Sequence, residues 1–382
     1  MNMLRGLRIA LAAGAAFATA GAAFAADRVQ TKEVTVSVDT LATGLDHPWA
    51  VEVMPDGAYL VTERPGNIRI IRDGKASEPL GGVPEVSARG QGGLMDVALA
   101  PDFAQSRILY FTAAIANAKG SGTEAFSAKL SADESRLEDV KPIFTMAKFT
   151  GGNIQYGSRI AIASDGSLFI SVGDRGSRDR SQDFKDDAGS IIHVNADGSI
   201  PADNPFRDGA KALPEIWSKG HRNPQGITFD SSDGKLYTVE HGARGGDEIN
   251  LIEPGKNYGW PVITYGRDYS GAKIGEGTEK AGLEQPLHYW DPSIAPGAIA
   301  VYRGKMFPEW DGDMLVAALK FQLLSRMQRD ESGKFTAEER LFEGNYGRIR
   351  DVTVAPDGAL LMVTDESDGA LLRVSRAANQ DG

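Results

Sequence analysis

The chain has 382 residues, of which 41% are hydrophobic, and a formal net charge of -11 with both signs well mixed. A chain this acidic does not indicate a nucleic-acid-binding protein, because such proteins carry clustered excess positive charge. The chain has no cysteine, so disulfides are excluded and stability must come from buried apolar surface or from bound metal.

The N-terminus has the pattern of a secretory signal. Arg5 and Arg8 flank the start of an apolar, alanine-rich stretch over residues 9–23, and an Ala-Phe-Ala sequence ends at Ala25. Small residues at that spacing are typical of a cleavage site, and the stretch is shorter than the roughly 20 apolar residues of a membrane span. We therefore expect residues 1–25 to be a cleaved signal peptide and the protein to be periplasmic, with no membrane span.

One pattern recurs six times along the rest of the chain: an alternating apolar run, a turn that usually contains Asp-Gly, and a second apolar run. Alternation with a period of two is typical of half-buried strands, and Asp-Gly is typical of hairpins. The first run and turn of each copy cover residues 49–57, 94–102, 160–166, 227–234, 299–312 and 352–358. Because propeller blades repeat at about this spacing once loops are added, we predict that residues 26–382 form a single all-β domain, a six-bladed β-propeller of four-stranded antiparallel blades.

Four of the six copies end their second strand in polar residues, at positions 62–64, 173–175, 240–242 and 364–366. Equivalent strand ends in a ring of blades meet on one face, so we expect these side chains to line a shared central pocket. The alternative fold is an irregular β-sandwich with coincidental Asp-Gly turns, in which such strand ends are simply hydrated.

Two glycine-rich segments are more specific than the turns. They are His221-Arg222-Asn223-Pro224-Gln225-Gly226, and Asp247-Glu248-Ile249-Asn250 followed by Asn257-Tyr258-Gly259-Trp260-Pro261. On these segments the chain resembles the soluble quinoprotein glucose/sorbosone dehydrogenases, and above all the periplasmic aldose sugar dehydrogenases, from about residue 45 to residue 374. The resemblance implies that pyrroloquinoline quinone (PQQ) accepts a hydride from the anomeric carbon of an aldose, a lactone leaves, and an external acceptor takes the electrons.

The resemblance also implies which residues bind the cofactor. PQQ is a tricarboxylate with an ortho-quinone, and carboxylates are best bound by arginine. By position, Lys320, Arg348 and Arg350 match the carboxylate binders, although a solvated strand face is the alternative for the two arginines. Arg222 matches the residue that polarises the reacting carbonyl, where a fixed positive charge stabilises a developing oxyanion. Asn223 lies beside it, and Gln91 matches a glutamine that contacts the quinone region.

Calcium is the metal that the resemblance implies. The backbone carbonyls of Gly242 and Ala243 match the protein ligands of a calcium ion that holds the cofactor, and such oxygen-only coordination suits this cation. A second, structural calcium would take the carboxylate of Glu248 and the carbonyl of Tyr258. A carboxylate that only stabilises a turn is the alternative for Glu248.

The general base is where this chain departs from the family pattern. Gln155 occupies the position of the family's catalytic histidine, and glutamine does not accept a proton near neutral pH. The aspartate that supports that histidine is present as Asp174. Three explanations stay open: Asp174 is the base, directly or through water; His241 or His221 is the base; or the protein binds the cofactor and oxidises sugars poorly.

Two other functions compete with an aldose dehydrogenase. One is a non-catalytic periplasmic propeller that binds a sugar or a protein, which the Gln155 replacement favours. The other is a metal-dependent lactone hydrolase, which would need several carboxylates or asparagines around a central metal. For the dehydrogenase we expect an aldose substrate, an external electron acceptor, and a monomer or homodimer.

Overall fold

The computed structural model describes residues 26–378 and shows six antiparallel sheets, five with four strands and one with five. The innermost strands of neighbouring sheets contact one another in order, and the sixth contacts the first, which closes the ring. The predicted six-bladed propeller is therefore confirmed. The predicted signal peptide lies outside the described residues. Within residues 26–378, no helix combines the length and the apolar character that crossing a bilayer would require.

The strands follow the chain blade by blade after two N-terminal strands. These are β1 (Asp27–Gln30) and β2 (Thr35–Leu45). Blade one has β3 (Pro48–Val53), β4 (Tyr59–Glu63), β5 (Asn67–Arg72) and β6 (Lys75–Ala76). Blade two has β7 (Leu94–Leu99), helix α1 (Phe103–Ser106), β8 (Ile108–Asn117), β9 (Gly120–Leu130) and β10 (Leu137–Thr145). Blade three has β11 (Gly157–Ile162), β12 (Leu168–Val172), a 3₁₀ turn (Arg178–Gln182), β13 (Ser190–Val194) and β14 (Ile216–Lys219).

The second half of the ring repeats this order. Blade four has β15 (Pro224–Asp230), β16 (Lys235–Glu240), β17 (Asp247–Ile252) and β18 (His288–Trp290). Blade five has β19 (Pro296–Val301), a 3₁₀ turn (Pro308–Trp310), β20 (Met314–Ala318), β21 (Leu323–Arg329) and β22 (Phe335–Leu341). Blade six has β23 (Ile349–Val354), β24 (Leu360–Thr364) and β25 (Gly369–Arg376). Strand β2 pairs with β25 and β1 pairs with β2, so the N-terminus completes the last blade.

The six sequence repeats are the two innermost strands of the six blades. Most of their turns contain a glycine in the left-handed region, such as Gly57 (φ 86°) and Gly358 (φ 88°), which residues with a side chain adopt at a cost. In blade two the short helix α1 replaces that turn. The stretch 178–206, which the sequence indicated as a loop-rich insertion, also contains strand β13.

Six apolar clusters hold the ring together, one at each interface between neighbouring blades. Leu60 and Phe111 belong to the cluster between blades one and two, and Leu315 and Leu360 to the one between blades five and six. Each sheet thus buries its faces against both neighbours. All six innermost strands begin at the same end of the ring, named the upper end here, and the second strand of each blade finishes there.

Candidate active site

A cavity of about 370 Å³ lies at the upper end of the ring axis and is named the upper cavity. Of the predicted cofactor-binding residues, Gln91, Asn223, Arg348 and Arg350 line it. The other lining residues are His47, Trp49, Arg64, Gly90, Gln225, His241, Ala295, Leu319, Asp365 and Glu366. The structure therefore brings residues from blades one, two, four, five and six to one central site. Of the four polar strand ends expected there, those at 62–64, 240–242 and 364–366 contribute lining residues, and the one at 173–175 does not.

Arg350 is a buried cation with few partners. Its Nη2 donates a hydrogen bond to Oε1 of Gln225, and its guanidinium lies 4.3 Å from the centroid of the Trp49 ring. Its Nε is buried and has no hydrogen-bond partner among residues 26–378. Burial lowers the pKa of Arg350 to about 9. A desolvated guanidinium with an unused donor is arranged to receive an acceptor from a ligand.

Arg348 stands at the cavity edge just before β23. Its Nη2 lies 3.8 Å from Oδ2 of Asp365, and 42% of its side chain is exposed. The alternative of a purely solvated strand face does not hold for Arg350, because that side chain is buried. Lys320 lies elsewhere: it is exposed after β20, it does not line the upper cavity, and its Nζ is 4.9 Å from the centroid of the Phe321 ring.

Arg222 and Asn223 lie just before β15, in the connection from blade three to blade four. Arg222 is almost buried, and its Nη1 donates to the carbonyl of His241 at 3.1 Å. Oδ1 of Asn223 accepts from the backbone of Gly157 at 3.1 Å and from the Gln225 side chain at 3.2 Å. These bonds fix an amide and a guanidinium side by side, with only Asn223 lining the cavity itself.

Gln91 and Gln155 are joined through the backbone. Oε1 of Gln91 accepts from the Gln155 amide at 2.7 Å, and Gln155 adopts a φ of 56°. Gly173 packs against the backbone of Gln155, and glycine is needed there because a Cβ would lie 2.2 Å from the carbonyl oxygen of Gln155. The Gln155 side chain is buried and makes no hydrogen bond with the described residues, although it does not line the upper cavity.

Asp174 is fully buried. Its Oδ2 accepts from the Trp260 indole at 2.8 Å, and its Oδ1 accepts from the Gly176 amide at 2.7 Å. Burial raises the pKa of Asp174, while the Trp260 hydrogen bond and the positive charge of Arg222 oppose that rise. A carboxylate with a raised pKa is chemically suited to accept a proton, although both of its oxygens already accept a hydrogen bond.

The two histidines considered as bases differ. His221 is fully buried, with Nδ1 paired to Glu240 at 2.9 Å and Nε2 to Ser218 at 2.9 Å. Its ring stacks on Tyr258, so it has the environment of a packed histidine. His241 lines the upper cavity, and its Nε2 lies 2.8 Å from the carbonyl of Pro296. A carbonyl only accepts, so Nε2 of His241 carries the hydrogen and Nδ1 keeps its lone pair.

The residues predicted for calcium offer oxygen atoms at two places. The carbonyl oxygens of Gly242 and Ala243 accept no hydrogen bond from the described residues. Glu248 lies directly across from Glu240 on the neighbouring strand, and burial, with Glu240 beside it, raises the pKa of Glu248 well above its usual value. Oδ1 of Asn250 is buried there without a partner in the described part of the chain. Two facing carboxylates and an orphaned amide oxygen fit a hard cation.

Within residues 26–378, no three His, Cys, Asp or Glu side chains come together as a metal site. A calcium ion would thus depend on the backbone carbonyls of Gly242 and Ala243, or on no more than the two carboxylates of Glu248 and Glu240. A metal centre of several carboxylates, as a lactone hydrolase would need, is not found among the described residues.

Several cavity residues were not predicted as site residues, among them the polar His47, Arg64 and Asp365. His47 Nδ1 donates to Oδ1 of Asp365 at 2.9 Å. Arg64 and Asp365 were indicated only as polar strand ends. His47 directly precedes β3, as Asn223 precedes β15 and Arg348 precedes β23. A position just before an innermost strand is the signal that could have identified it.

The family model described as Glucose / Sorbosone dehydrogenase matches residues 45–373. The aldose sugar dehydrogenase YliI of Escherichia coli K12 is 44% identical over 347 residues, which cover 89% of this chain and 93% of that protein. The apo structure of the E. coli aldose sugar dehydrogenase superposes with a TM-score of 0.87 at 41% identity, covering 90% of this chain and all of that one. The PQQ-bound aldose sugar dehydrogenase of Streptomyces coelicolor superposes with a TM-score of 0.74 at 29% identity, covering 89% of this chain and 98% of that one.

Proposed function

This chain belongs to the Glucose / Sorbosone dehydrogenase family, and we propose that it oxidises aldose sugars at the anomeric carbon to lactones with PQQ as cofactor. The observation that carries the proposal is the upper cavity, whose buried Arg350 has an unused Nε donor among the described residues. An acidic redox ligand would complete that donor. The non-catalytic alternative is not favoured, because a bare scaffold has no use for a desolvated guanidinium at its centre.

The cavity residues fit a tricarboxylate. Arg348 and Arg350 would hold its carboxylates, and Lys320 would reach them from the edge of blade five. Bound PQQ supplies an ortho-quinone that takes a hydride, a chemistry that protein side chains lack. Gln91 and Asn223 would orient the ring system through their fixed amides. Arg222 would hold positive charge where negative charge develops on a carbonyl oxygen, a stabilisation that costs no reorganisation during the reaction.

Calcium is part of the proposal. The carbonyls of Gly242 and Ala243 would bind one ion beside Arg222, and Glu248 with the carbonyl of Tyr258 would bind a second. A cation beside Glu248 would also relieve its repulsion with Glu240, which like charges on paired strands otherwise suffer. Export to the periplasm, through the signal peptide predicted for residues 1–25, would provide calcium. The electrons would pass to an external acceptor, and a monomer or homodimer remains the predicted state.

Asp174 is the residue that we propose as proton acceptor in place of the histidine that Gln155 replaces. It adjoins the Gln155 segment, since the Arg175 amide donates to the carbonyl of Gln155 at 3.2 Å. His241 is the competing candidate, because its Nδ1 keeps a lone pair within a cavity-lining side chain. One of these two residues must accept the proton of the anomeric hydroxyl.

The experiment that tests the function adds PQQ and calcium to purified apoprotein, separately and together. We expect a bound-cofactor absorption band, an increase in thermal stability, and dye reduction with members of a panel of aldoses. A protein that shows neither the band nor any stabilisation would rule out the proposed cofactor.

Replacing Asp174 with asparagine separates proton transfer from binding. Asp174→Asn keeps the shape and one of the two acceptor contacts but removes the base, so turnover should fall at least 100-fold, the size of a general-base contribution, while the cofactor still binds. The exposed Asp179→Asn in the same loop is the matched control and should keep full turnover. Wild-type turnover in Asp174→Asn would take Asp174 out of the mechanism and leave His241.

A further inference from the structure

Arg64 is a cation of the upper cavity that has no role in the function proposed above. It directly follows β4, and its Nη1 donates to the carbonyl of Gly90 at 2.8 Å. Its Nε is buried and has no hydrogen-bond partner among residues 26–378. Of the cavity-lining arginines, only Arg350 shares this property. Because an unmatched buried donor costs free energy, a ligand that supplies an acceptor to the Nε of Arg64 would be stabilised there.

Arg64 also has no carboxylate partner. In this acidic chain most arginines form ion pairs, but within the described part of the chain no carboxylate oxygen lies within 4.0 Å of the Arg64 guanidinium. The nearby Asp365 is already engaged by His47 at 2.9 Å and lies 3.8 Å from Arg348. Burial would raise the pKa of Asp365, but Arg350, the His47 hydrogen bond and Arg348 hold it below its usual value, with a smaller contribution from the more distant charge of Arg64. The cation at position 64 therefore remains available to an anion from outside the protein.

The backbone fixes Arg64 in this position. Its amide donates to the carbonyl of His47 at 3.1 Å, and its carbonyl accepts from Leu94 at 3.0 Å. At Gly93, with a φ of 140°, a Cβ would lie 2.1 Å from the Arg64 carbonyl oxygen and 2.7 Å from its Cγ. Glycine is thus needed at position 93 for Arg64 to stand where it does. Segments of blades one and two together hold the side chain in place.

A comparison with Lys320 indicates what Arg64 binds. Both follow the second strand of a blade, Lys320 in blade five and Arg64 in blade one, on either side of the blade that carries Arg348 and Arg350. Lys320 is exposed and does not line the upper cavity, whereas Arg64 is half-buried and lines it. A guanidinium fork with an unused Nε inside the cavity is suited to bind a carboxylate there, whereas the exposed ammonium of Lys320 would reach a ligand only from the cavity edge.

We propose that Arg64 is a further carboxylate-binding residue of the upper cavity, which takes either one carboxylate of the quinone cofactor or a carboxylate carried by an acidic sugar substrate. The proposal rests on the proposed function, since it assumes that the upper cavity holds the cofactor and the sugar. It adds a specificity-determining cation on the blade-one side of the cavity.

The test measures two affinities in Arg64→Gln. The first is the dissociation constant of PQQ, followed by its absorption in calcium-loaded protein without sugar. The second is the KM for glucuronic acid relative to glucose. If the cofactor supplies the carboxylate, the dissociation constant rises about tenfold or more, as expected for a lost charge-assisted bond. If the sugar supplies it, the KM for glucuronic acid rises by a similar factor while that for glucose stays constant.

Two further variants make the test decisive. Arg89→Gln removes an exposed arginine of the same loop region that does not line the cavity, and it should leave both constants unchanged. Arg64→Lys keeps the charge and loses the guanidinium fork, so it should raise the same constant about threefold. If Arg64→Gln does not fold, the result with Arg64→Lys decides the test. Wild-type values for PQQ and for both sugars in the Arg64 variants would overturn the proposal. Failure of the wild type itself to bind PQQ would instead count against the proposed function.

Discussion

The channel along the ring axis has two halves with opposite chemistry. The upper cavity is lined by Arg64, Arg348 and Arg350. Below it, towards the ends of the innermost strands, a lower cavity of about 240 Å³ is lined by Glu52, Asp96, Arg159 and Asp351 among apolar residues. Both cavities are enclosed by the same six strands. The kind of ligand that each half can bind is therefore determined by the charges that line it and not by the fold.

Two arginines next to the same tryptophan show the difference. Arg159 lies 4.1 Å from the centroid of the Trp49 ring, and Arg350 lies 4.3 Å from it. Arg159 donates to Asp96 at 2.9 Å, to Asp351 at 2.8 Å, and to the carbonyls of Gln225 at 3.1 Å and Gly297 at 2.9 Å. From β11 it thus contacts the innermost strands of the other five blades.

Arg350, in contrast, has one side-chain acceptor and an orphaned Nε. The hydrogen-bond donors of a buried arginine distinguish structural from ligand-binding cations in a propeller. A buried arginine whose donors are all matched within the protein stabilises the ring, whereas a buried arginine with unmatched donors is completed by a ligand. Each half of the comparison makes a prediction.

The largest effect is expected from Arg159→Met. The substitution leaves Asp96 and Asp351 buried without their cation, and breaking a buried ion pair in this way costs about 3–5 kcal/mol. We expect the free energy of unfolding of the apoprotein to fall by that amount in urea denaturation at pH 7. Arg159→Lys, which keeps the charge but loses most of the hydrogen bonds, should fall in between. Wild-type stability in both variants would contradict the structural role of Arg159.

Arg350→Met should lower the affinity for PQQ and leave the stability of the apoprotein nearly unchanged. Because the Arg350 guanidinium is desolvated and poorly matched, its removal should change the stability of the apoprotein by less than about 1 kcal/mol. The affinity for PQQ should fall about 100-fold, because the cofactor carboxylate loses a buried charge partner. Absorption titration gives the affinity, and urea denaturation of the same sample gives the stability. A large loss of stability with unchanged affinity for PQQ would show that Arg350 stabilises the ring, as Arg159 does.

The sequence was sufficient to predict the ring. Alternation and Asp-Gly turns are local signals, and they identified the innermost strand of every blade and, except in blade two, the strand that follows it. Strand β13 was hidden within a polar stretch, and α1 was not predicted, because neither carries a periodic pattern long enough to stand out.

The site was predicted less completely, for a physical reason. Gln91, Asn223, Arg348 and Arg350 were found through the family resemblance, and the structure brings them to one cavity. Arg64 and the His47–Asp365 pair required the angular placement of blades one and six around the axis, which no local pattern contains. The same applies to Arg159, whose partners lie up to 192 residues away in the chain.

The last effect is a change in slope and concerns the pH dependence of the lower cavity. Burial, and then the charges of Asp96 and Asp351, raise the pKa of Glu52 to about 8, and burial raises that of Asp96 to about 6. The folded protein therefore binds more protons than the unfolded chain above pH 4.5, and its stability falls as pH rises towards 8, by at most about 1.4 kcal/mol per pH unit for one group. Glu52→Gln removes this titrating group, so urea denaturation at pH 5, 6, 7 and 8 should show a flatter decline, while Asp96 and the other buried carboxyls with raised pKa values, such as Asp187 at about 7, keep their contributions. The exposed Glu78→Gln should keep the wild-type slope. If Glu52→Gln keeps it as well, the lower cavity is hydrated enough to ionise freely, and the contrast with the desolvated upper cavity is lost.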